Sequence, residues 1–457
     1  MERDAQESNR RMRLAAGLAR PPPLPSIGFV LECASAGMTR SSEAGATMSV
    51  ETVSRNNENT VVAIMFVTWG VVFLDRMAVL YLAPFIAPDL HLSEAQIGSL
   101  AGVIALCWAV SALAFGAISD RVGRKAVLVP MVLLFSLLSA VSGLARNFEE
   151  LLLARALLGF AEGPCWSVTM ALVEESSSAR NRGRNIGVVV SAAAIIGLAA
   201  APVLTTQIAA HWGWRWAFFI AGIPGLVMAL LIARCVREPA RVAGSTEHRV
   251  AVSDLWSLLS NRNVRAGAIG AAGFMTWLFL VNAFAPLYIT EVAHQSGTTS
   301  GFLMGAAGLG SFFIGLVAPA ASDRFGRRRV LLVVAALCAL LPLALLTDTL
   351  YQHLWVLAGV LFLTQAGQAV SAICIVLVPA ESVPPRLVGS AIGFTTLCGE
   401  LLGGFVAPII AGSLAGQHGL AVPLWIAVAG AAVVVLVALF LRPAGAGGRL
   451  AAVETST

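Results

Sequence analysis

The sequence predicts an all-α membrane protein with twelve transmembrane helices in two six-helix halves, and three observations carry that expectation. Hydrophobic residues make up 58% of the 457 residues and charged ones 12%, with a mean hydropathy of +0.82, a composition outside the range of soluble globular domains. Apolar runs of about twenty residues, the length that crosses a bilayer as a helix, recur between short polar loops. One of those loops returns at the matching place in the second half, about two hundred residues later, as in bundles built from related halves.

In chain order, residues 1–59 are polar, and Pro21, Pro22, Pro23 and Pro25 break any helix, so a disordered tail is expected there. Met38 or Met48 is a candidate start, and no charged start, apolar core and cleavage site mark a signal peptide. The first half, 60–236, holds spans at 61–86, 96–117, 126–144, 151–173, 186–210 and 215–236. A polar linker at 237–265 follows, with Glu238, Arg241, Glu247, Arg249, Asp254 and Arg262. The second half, 266–441, holds spans at 266–290, 301–321, 330–347, 354–378, 388–414 and 421–441, and a Gly- and Ala-rich tail occupies 442–457. In span five, Gly187, Ala194, Gly197, Ala201 and Pro202 form a small-residue face suited to close helix packing.

Arginine placement orients the bundle. Loops near Arg121, Arg124 and Lys125, near Arg180, Arg182 and Arg184, and near Arg324, Arg327, Arg328 and Arg329 alternate with loops almost free of basic residues. The basic side is therefore cytoplasmic, and both termini fall inside. The net charge of +5 is topological, so no nucleic-acid partner is expected. The cysteines (Cys33, Cys107, Cys165, Cys235, Cys338, Cys374, Cys398) show no ligand or disulfide spacing, and the histidines (His91, His211, His248, His294, His353, His418) sit in loops or at helix ends. Neither a metal nor another cofactor is expected. The chain has no GxxxxGK[ST] loop for ATP and no Ser/His/Asp or Cys/His arrangement suggestive of an enzyme. A permease-like sensor would need a larger output domain than these short polar segments provide.

The first span carries Asp75 and Arg76 side by side. Each costs about 2.5–3.5 kcal/mol at a bilayer centre, so the pair should face a watery cavity or partners on other helices. Either a transport site or a structural ion pair locking two helices satisfies that requirement. In the fourth span Arg155 and Glu162 are seven residues apart, on one face and about 10 Å apart along the axis. An Arg fork matches a carboxylate bidentately, and an anion competing for Arg76 or Arg155 changes how readily Asp75 or Glu162 binds a proton.

The repeated loop reads Gly116-Ala-Ile-Ser-Asp120-Arg121-Val-Gly123-Arg124-Lys125, and again Ser322-Asp323-Arg324-Phe325-Gly326-Arg327-Arg328 with Pro319 where the first glycine would stand. It resembles the signature loop of the major facilitator superfamily, and the resemblance covers about residues 60–441. It implies the major facilitator fold, a secondary transporter, and a gating loop formed by Gly116, Asp120, Arg121, Gly123, Arg124, Asp323, Arg324 and Arg327.

Within that superfamily, Phe73-Leu-Asp75-Arg76-Met-Ala-Val-Leu-Tyr81-Leu-Ala-Pro84 and Arg155-Ala-Leu-Leu-Gly159-Phe-Ala-Glu162-Gly163 resemble the anion:cation symporters. That likeness implies that Asp75 and Glu162 exchange the coupling proton, that Arg76 holds the substrate carboxylate, and that Arg155 pairs with the acids. Trp108 and Ala112 stand where the family usually has Tyr and Gln; the missing hydroxyl and amide leave the substrate class open and allow a bulkier or more apolar acid, aromatic acids among them. Further candidate substrate contacts are Tyr81, Trp277, Asn282, Gln365, Gln368, Ser371 and Glu400, although buried Asn, Gln and Ser commonly bridge helices instead. Glu381 and Arg386 suit either gate contacts or solvation. The expected function is proton-coupled symport of a small organic anion across a bacterial inner membrane by a monomer, with the lipid bilayer as its surroundings. The same motifs are similar to those of Spinster-like carriers, so efflux or lysolipid transport of an amphipathic compound is the alternative.

Overall fold

The computed structural model describes residues 49–178, 180–238, 258–384 and 387–441, with side chains outside 49–57, Ala117 and Asp120. The expected tail up to residue 48 with Met38 and Met48, the linker from 239 to 257, Arg386 and the tail from 442 lie outside the described residues. Twelve helices among the described residues are long and apolar enough to cross a membrane. Their membrane-crossing stretches lie within one compact unit, Ser54–Thr457.

These helices are α1 (Ser49–Tyr81, membrane-crossing from Glu58), α2 (Glu94–Val122), α3 (Arg124–Gly143), α4 (Phe148–Ser176), α5 (Arg182–Trp212) and α6 (Trp214–Cys235). Residues 49–59, expected as the end of a disordered tail, instead form the polar first turns of α1. After them come α7 (Arg262–Val292), α8 (Gly297–Phe325), α9 (Arg327–Leu345), α10 (Leu354–Glu381), α11 (Val388–His418) and α12 (Ala421–Phe440). The starts are signalled locally. Ser93 and Gln96 form a reciprocal capping box on α2, and Asn147 and Ser296 accept the orphan amides of Glu150 and Thr299 on α4 and α8. The expected first span at 61–86 divides, because α1 ends at Tyr81 and a short helix, Ala83–Leu90, begins with Pro84 in its first turn. Proline lacks the amide that a continuous helix would need there.

Four of the spans contain wide π-helical turns, at Ala193–Ala200 in α5, Tyr288–Val292 in α7, Ser371–Leu377 in α10 and Gly399–Val406 in α11. Such turns often re-aim side chains at functional positions. The last of them carries Glu400.

Glycines decide where the halves touch. A Cβ on Gly102 of α2 would stand 2.8 Å from the Phe405 carbonyl of α11, and Gly98 and Gly412 lie directly against the backbone at Pro408 and Glu94. Gly301, Gly305 and Gly308 of α8 likewise sit on Pro202, Ala199 and Leu198 of α5. All these crossings lie away from the signature loops. Toward the loops, Gly183 and Gly187 of α5 and Gly389 and Gly393 of α11 have no heavy atom within 4 Å of an added Cβ. Of the small-residue face expected in span five, Gly197 therefore packs, against Phe73, and Gly187 faces open space.

The outer surface is apolar, with Leu113, Leu137, Leu153, Leu230 and Leu436 exposed. Exposed Trp212, Trp216, Trp355 and Trp425 gather at the helix ends opposite the arginine-rich loops, the placement of an interfacial aromatic belt.

Candidate functional site

The Arg155-x-x-x-Gly159-x-x-Glu162-Gly163 stretch owes its glycines to α2. A Cβ on Gly159 would lie 2.6 Å from the Ile104 carbonyl, and one on Gly163 would lie 2.5 Å from that of Trp108. Only bare backbone lets α2 and α4 approach so closely. That contact fixes Arg155 and Glu162 against the middle of α1, and Asp75, Arg76, Arg155 and Glu162 are all buried.

Arg76 reaches across to the other half, where its Nη2 donates to Glu400 Oε2 at 2.7 Å. Its guanidinium also lies 5.0 Å from the Trp108 ring centroid and 5.2 Å from that of Phe279, within cation–π range of both. Asp75 turns the other way. Its Oδ1 accepts from the Ser139 hydroxyl of α3 at 2.6 Å, and Ser139 stands also 3.1 Å from the Phe218 carbonyl. Adjacent helical residues diverge by about 100°, which separates the two charges onto different neighbours.

Arg155 was expected to pair with the acids, but its hydrogen bonds go elsewhere. Nε donates to Ser142 at 3.1 Å and Nη1 to the main-chain carbonyl of Asp75 at 3.3 Å, while the guanidinium lies 4.6 Å from the Phe218 ring centroid. Neither Glu162 oxygen accepts a hydrogen bond from Arg76 or Arg155. Both Glu162 oxygens, Asp75 Oδ2, Arg76 Nε, Arg155 Nη2 and Trp108 Nε1 are buried without a protein partner. Groups left in that condition cost about 1–3 kcal/mol each unless a proton, water or ligand meets them. Three carboxylates and two guanidiniums therefore share a buried site rich in unused hydrogen-bonding capacity.

The remaining candidates are placed as follows. The Tyr81 hydroxyl donates to Asn282 Oδ1 at 2.9 Å, a second link from α1 to α7. Trp277 donates to the Cys338 carbonyl at 2.7 Å. Gln365 sits where α10 breaks, its Oε1 accepting the Gly367 amide at 2.9 Å, and the Gln368 main-chain N–H donates to Ser311 Oγ. The Tyr81, Asn282, Trp277 and Gln365 side chains are thus engaged within the protein, whereas Arg76, Glu162 and Trp108 keep free polar atoms. Sequence reasoning passed over Ser139, Ser142 and Phe279. The serines had a signal, because Ser136, Ser139 and Ser142 recur every third residue on one buried face of an otherwise apolar helix. Phe279 had none beyond its apolar surroundings.

The two signature loops match in geometry as well as sequence. Gly123 (φ 121°) and Gly326 (φ 91°) make the turns into α3 and α9, backbone that favours glycine. Arg124 donates to Ser119 Oγ at 2.8 Å and to Glu175 at 3.0 Å, and Arg327 to Ser322 Oγ and to Glu381 at 2.6 Å, with Asp323 also at 2.6 Å. Glu238 accepts the Arg124 and Lys125 amides at 2.5 and 2.9 Å, an anion on a helix N-terminus. Arg324 lies 5.6 Å from the Phe325 ring centroid, and Arg121 is in the exposed last turn of α2. A Cβ on Gly116 would stand 3.9 Å from Ser167 Oγ, an ordinary contact. The Asp120 side chain lies outside those described.

This paired-loop bundle has a family counterpart. The Major Facilitator Superfamily profile matches residues 64–407 and 268–455. The chain belongs to the Major Facilitator Superfamily. It is 30% identical over 280 residues to a probable 4-methylmuconolactone transporter of Cupriavidus pinatubonensis, covering 59% of this chain and 64% of that protein. It is 27% identical over 413 residues to a gentisate transporter of Corynebacterium glutamicum, covering 83% of this chain and 88% of that one. A solved bacterial homologue of the human lysosomal transporter Spinster, in an inward-facing and occupied conformation, has the same fold, with a TM-score of 0.67 and 20% identity over 83% of this chain and 95% of that one. As a superfamily member with twelve apolar helices, the protein is a multi-pass membrane protein.

Proposed function

We propose that this protein is a secondary active transporter that carries a small organic anion together with protons across a bacterial inner membrane. The observation that carries the proposal is the buried Arg76 fork, which already grips a carboxylate, that of Glu400, between two aromatic rings. A guanidinium keeps its charge in any protein environment, so a site of this kind selects anions. The relatives named for transport of gentisate and 4-methylmuconolactone support an organic acid as cargo. The aromatic flanks Trp108 and Phe279 suit one with a flat apolar body.

In this reading Arg76 binds the substrate carboxylate, and Asp75 and Glu162, with their unpartnered oxygens, accept the protons. Arg155 supplies the counter-charge that stays in the first half. The halves 60–236 and 266–441 rock about this site, linked by 237–265, and the glycine crossings open at one end as the signature-loop end closes. The arginine-rich loops and both termini lie on the cytoplasmic side, and the working unit is a monomer.

The test is proton entry into vesicles holding purified protein, driven by gentisate and by a panel of aliphatic carboxylates, for the native chain, Asp75→Asn and Arg76→Ala. Native protein should admit protons with an acid. Asp75→Asn should lose proton entry and keep anion exchange, and Arg76→Ala should lose binding. If no carboxylate gives a signal, or both variants match the native chain, the charged pair is structural and a lysolipid or efflux substrate takes its place.

A further inference from the structure

Glu400 belongs to the half opposite Asp75, Arg76, Arg155 and Glu162, and its pairing with Arg76 is the one fully buried ion pair between described residues. We propose that Glu400 is an internal anion that competes with the substrate carboxylate for Arg76, so that a carboxylate is accepted only as Glu400 takes up a proton and lets go. The inference rests on the organic-anion reading and deepens it, since it turns a candidate substrate contact into a coupling group.

The geometry is that of a partial grip. Glu400 uses one N–H of the fork, Nη2, and the neighbouring Nε is buried without a partner. A carboxylate docking side-on uses Nε and Nη2 together, two parallel hydrogen bonds in place of one. It therefore draws on Nη2, the nitrogen that Glu400 already engages. With all three carboxyl groups ionised, they and the two guanidiniums carry a formal charge of minus one, and adding an anion to that buried site is costly. When a proton converts the Glu400 carboxylate to a carboxylic acid and the Arg76 ion pair passes to the incoming carboxylate, the charge of the site is unchanged. One proton then accompanies one carboxyl group.

The surroundings leave Glu400 few other partners. Arg76 on α1 is the charged group facing it. Ala105 of α2 and Phe279 of α7 stand beside its Oε2 around Gly404, and Met275 and Ala271 of α7 pack on Gly399. Cys398 is the titratable neighbour on its own helix, and Asp75, Glu162 and Arg155 are the other buried charged groups of the site, on α1 and α4. Once protonated, Glu400 sits among apolar groups that tolerate a neutral acid.

The experiment is calorimetric titration of purified native protein, Glu400→Gln, Glu400→Asp and Arg76→Ala with gentisate between pH 5.5 and 8, in buffers of different ionisation enthalpy that report protons taken up. Each proton linked to binding weakens affinity by about tenfold per pH unit once its acid is ionised. Glu400→Gln should bind at least tenfold more tightly than the native protein at pH 8, take up about one proton fewer per gentisate, and lose that much of the pH slope. Glu400→Asp should keep the uptake. Infrared difference spectra of the native protein should gain a protonated-carboxyl band on gentisate addition that shifts in Glu400→Asp, a readout that stands even where Glu400→Gln misfolds. Weaker binding by Glu400→Gln, unchanged proton uptake, or no such band overturns the role of Glu400, while Arg76-dependent binding leaves the anion reading in place. Absence of gentisate binding in every form removes both.

Discussion

Gly102→Ala is the sharpest test of the packing that keeps this conformation together. The added Cβ would stand 2.8 Å from the Phe405 carbonyl oxygen and 3.2 Å from Ile409 Cγ1, where an ordinary carbon–oxygen contact is about 3.3 Å or more. The obstacle on α11 is backbone, which no rotamer change relieves, so α2 and α11 must part by about 0.5 Å. Overpacking of this kind costs about 1–3 kcal/mol. That cost falls on the state in which these helices touch and not on one in which they separate. The closed-to-open ratio at this end should therefore drop by about 5- to 150-fold. Spin labels at His91 and Gln417, both exposed beyond the contact, measure it by pulsed dipolar spectroscopy in a background free of the native cysteines. The native chain should give one short distance and Gly102→Ala a second, longer population. An unchanged distribution in a folded variant would refute the claim that glycine contact sets the balance between states.

Three further outcomes follow from the site and its borders. Tyr81→Phe leaves Asn282 Oδ1 without its donor from α1, so thermal unfolding should reveal a loss of about 1–3 kcal/mol, and an unshifted melting curve would mean the bond contributes nothing. Ser139→Ala strips Asp75 of its one side-chain donor, leaving both oxygens unpartnered; a similar loss of about 1–3 kcal/mol is expected, read by the same method. The third concerns pH. The Arg215 guanidinium hydrogen-bonded to Asp89, aided by the Trp214 indole, holds that carboxyl below the usual value of 3.8. A depressed folded-state pKa stabilises fully above the ordinary aspartate range and is lost as pH falls through the lowered value. Native protein should thus melt above Asp89→Asn at pH 6, with the gap closing as pH falls below the ordinary aspartate range. A gap that persists or widens in acid would remove the assignment. Because the pair is half-exposed, the gap should be small and should shrink with salt.

The fold was legible because bilayer physics writes it into composition. A helix that satisfies its own backbone in lipid must be apolar for about twenty residues, and arginines sort to one side. The boundaries that slipped, as at Tyr81, did so where a proline falls inside an apolar run and hydropathy cannot see the missing amide. The site was legible in part. Charges in α1 and α4 stand out against hydrocarbon, so Asp75, Arg76, Arg155 and Glu162 announce themselves. Their partners do not, since Ser139, Ser142 and Phe279 are ordinary residues in membrane helices.

What the sequence by itself determined is the membrane topology pattern, the paired signature loops and the charged residues that hydrocarbon makes conspicuous. What only the tertiary structure decided is who meets whom. It gave Arg76 to Glu400, 324 positions away, and Asp75 to Ser139. It left Glu162 unpartnered and spent Tyr81, Asn282, Trp277 and Gln365 on bonds within the protein. The reason is physical. A transmembrane sequence states the cost of each residue in lipid, whereas pairing depends on helix rotation and approach, which glycine contacts and π-helical turns set only when all twelve helices are packed.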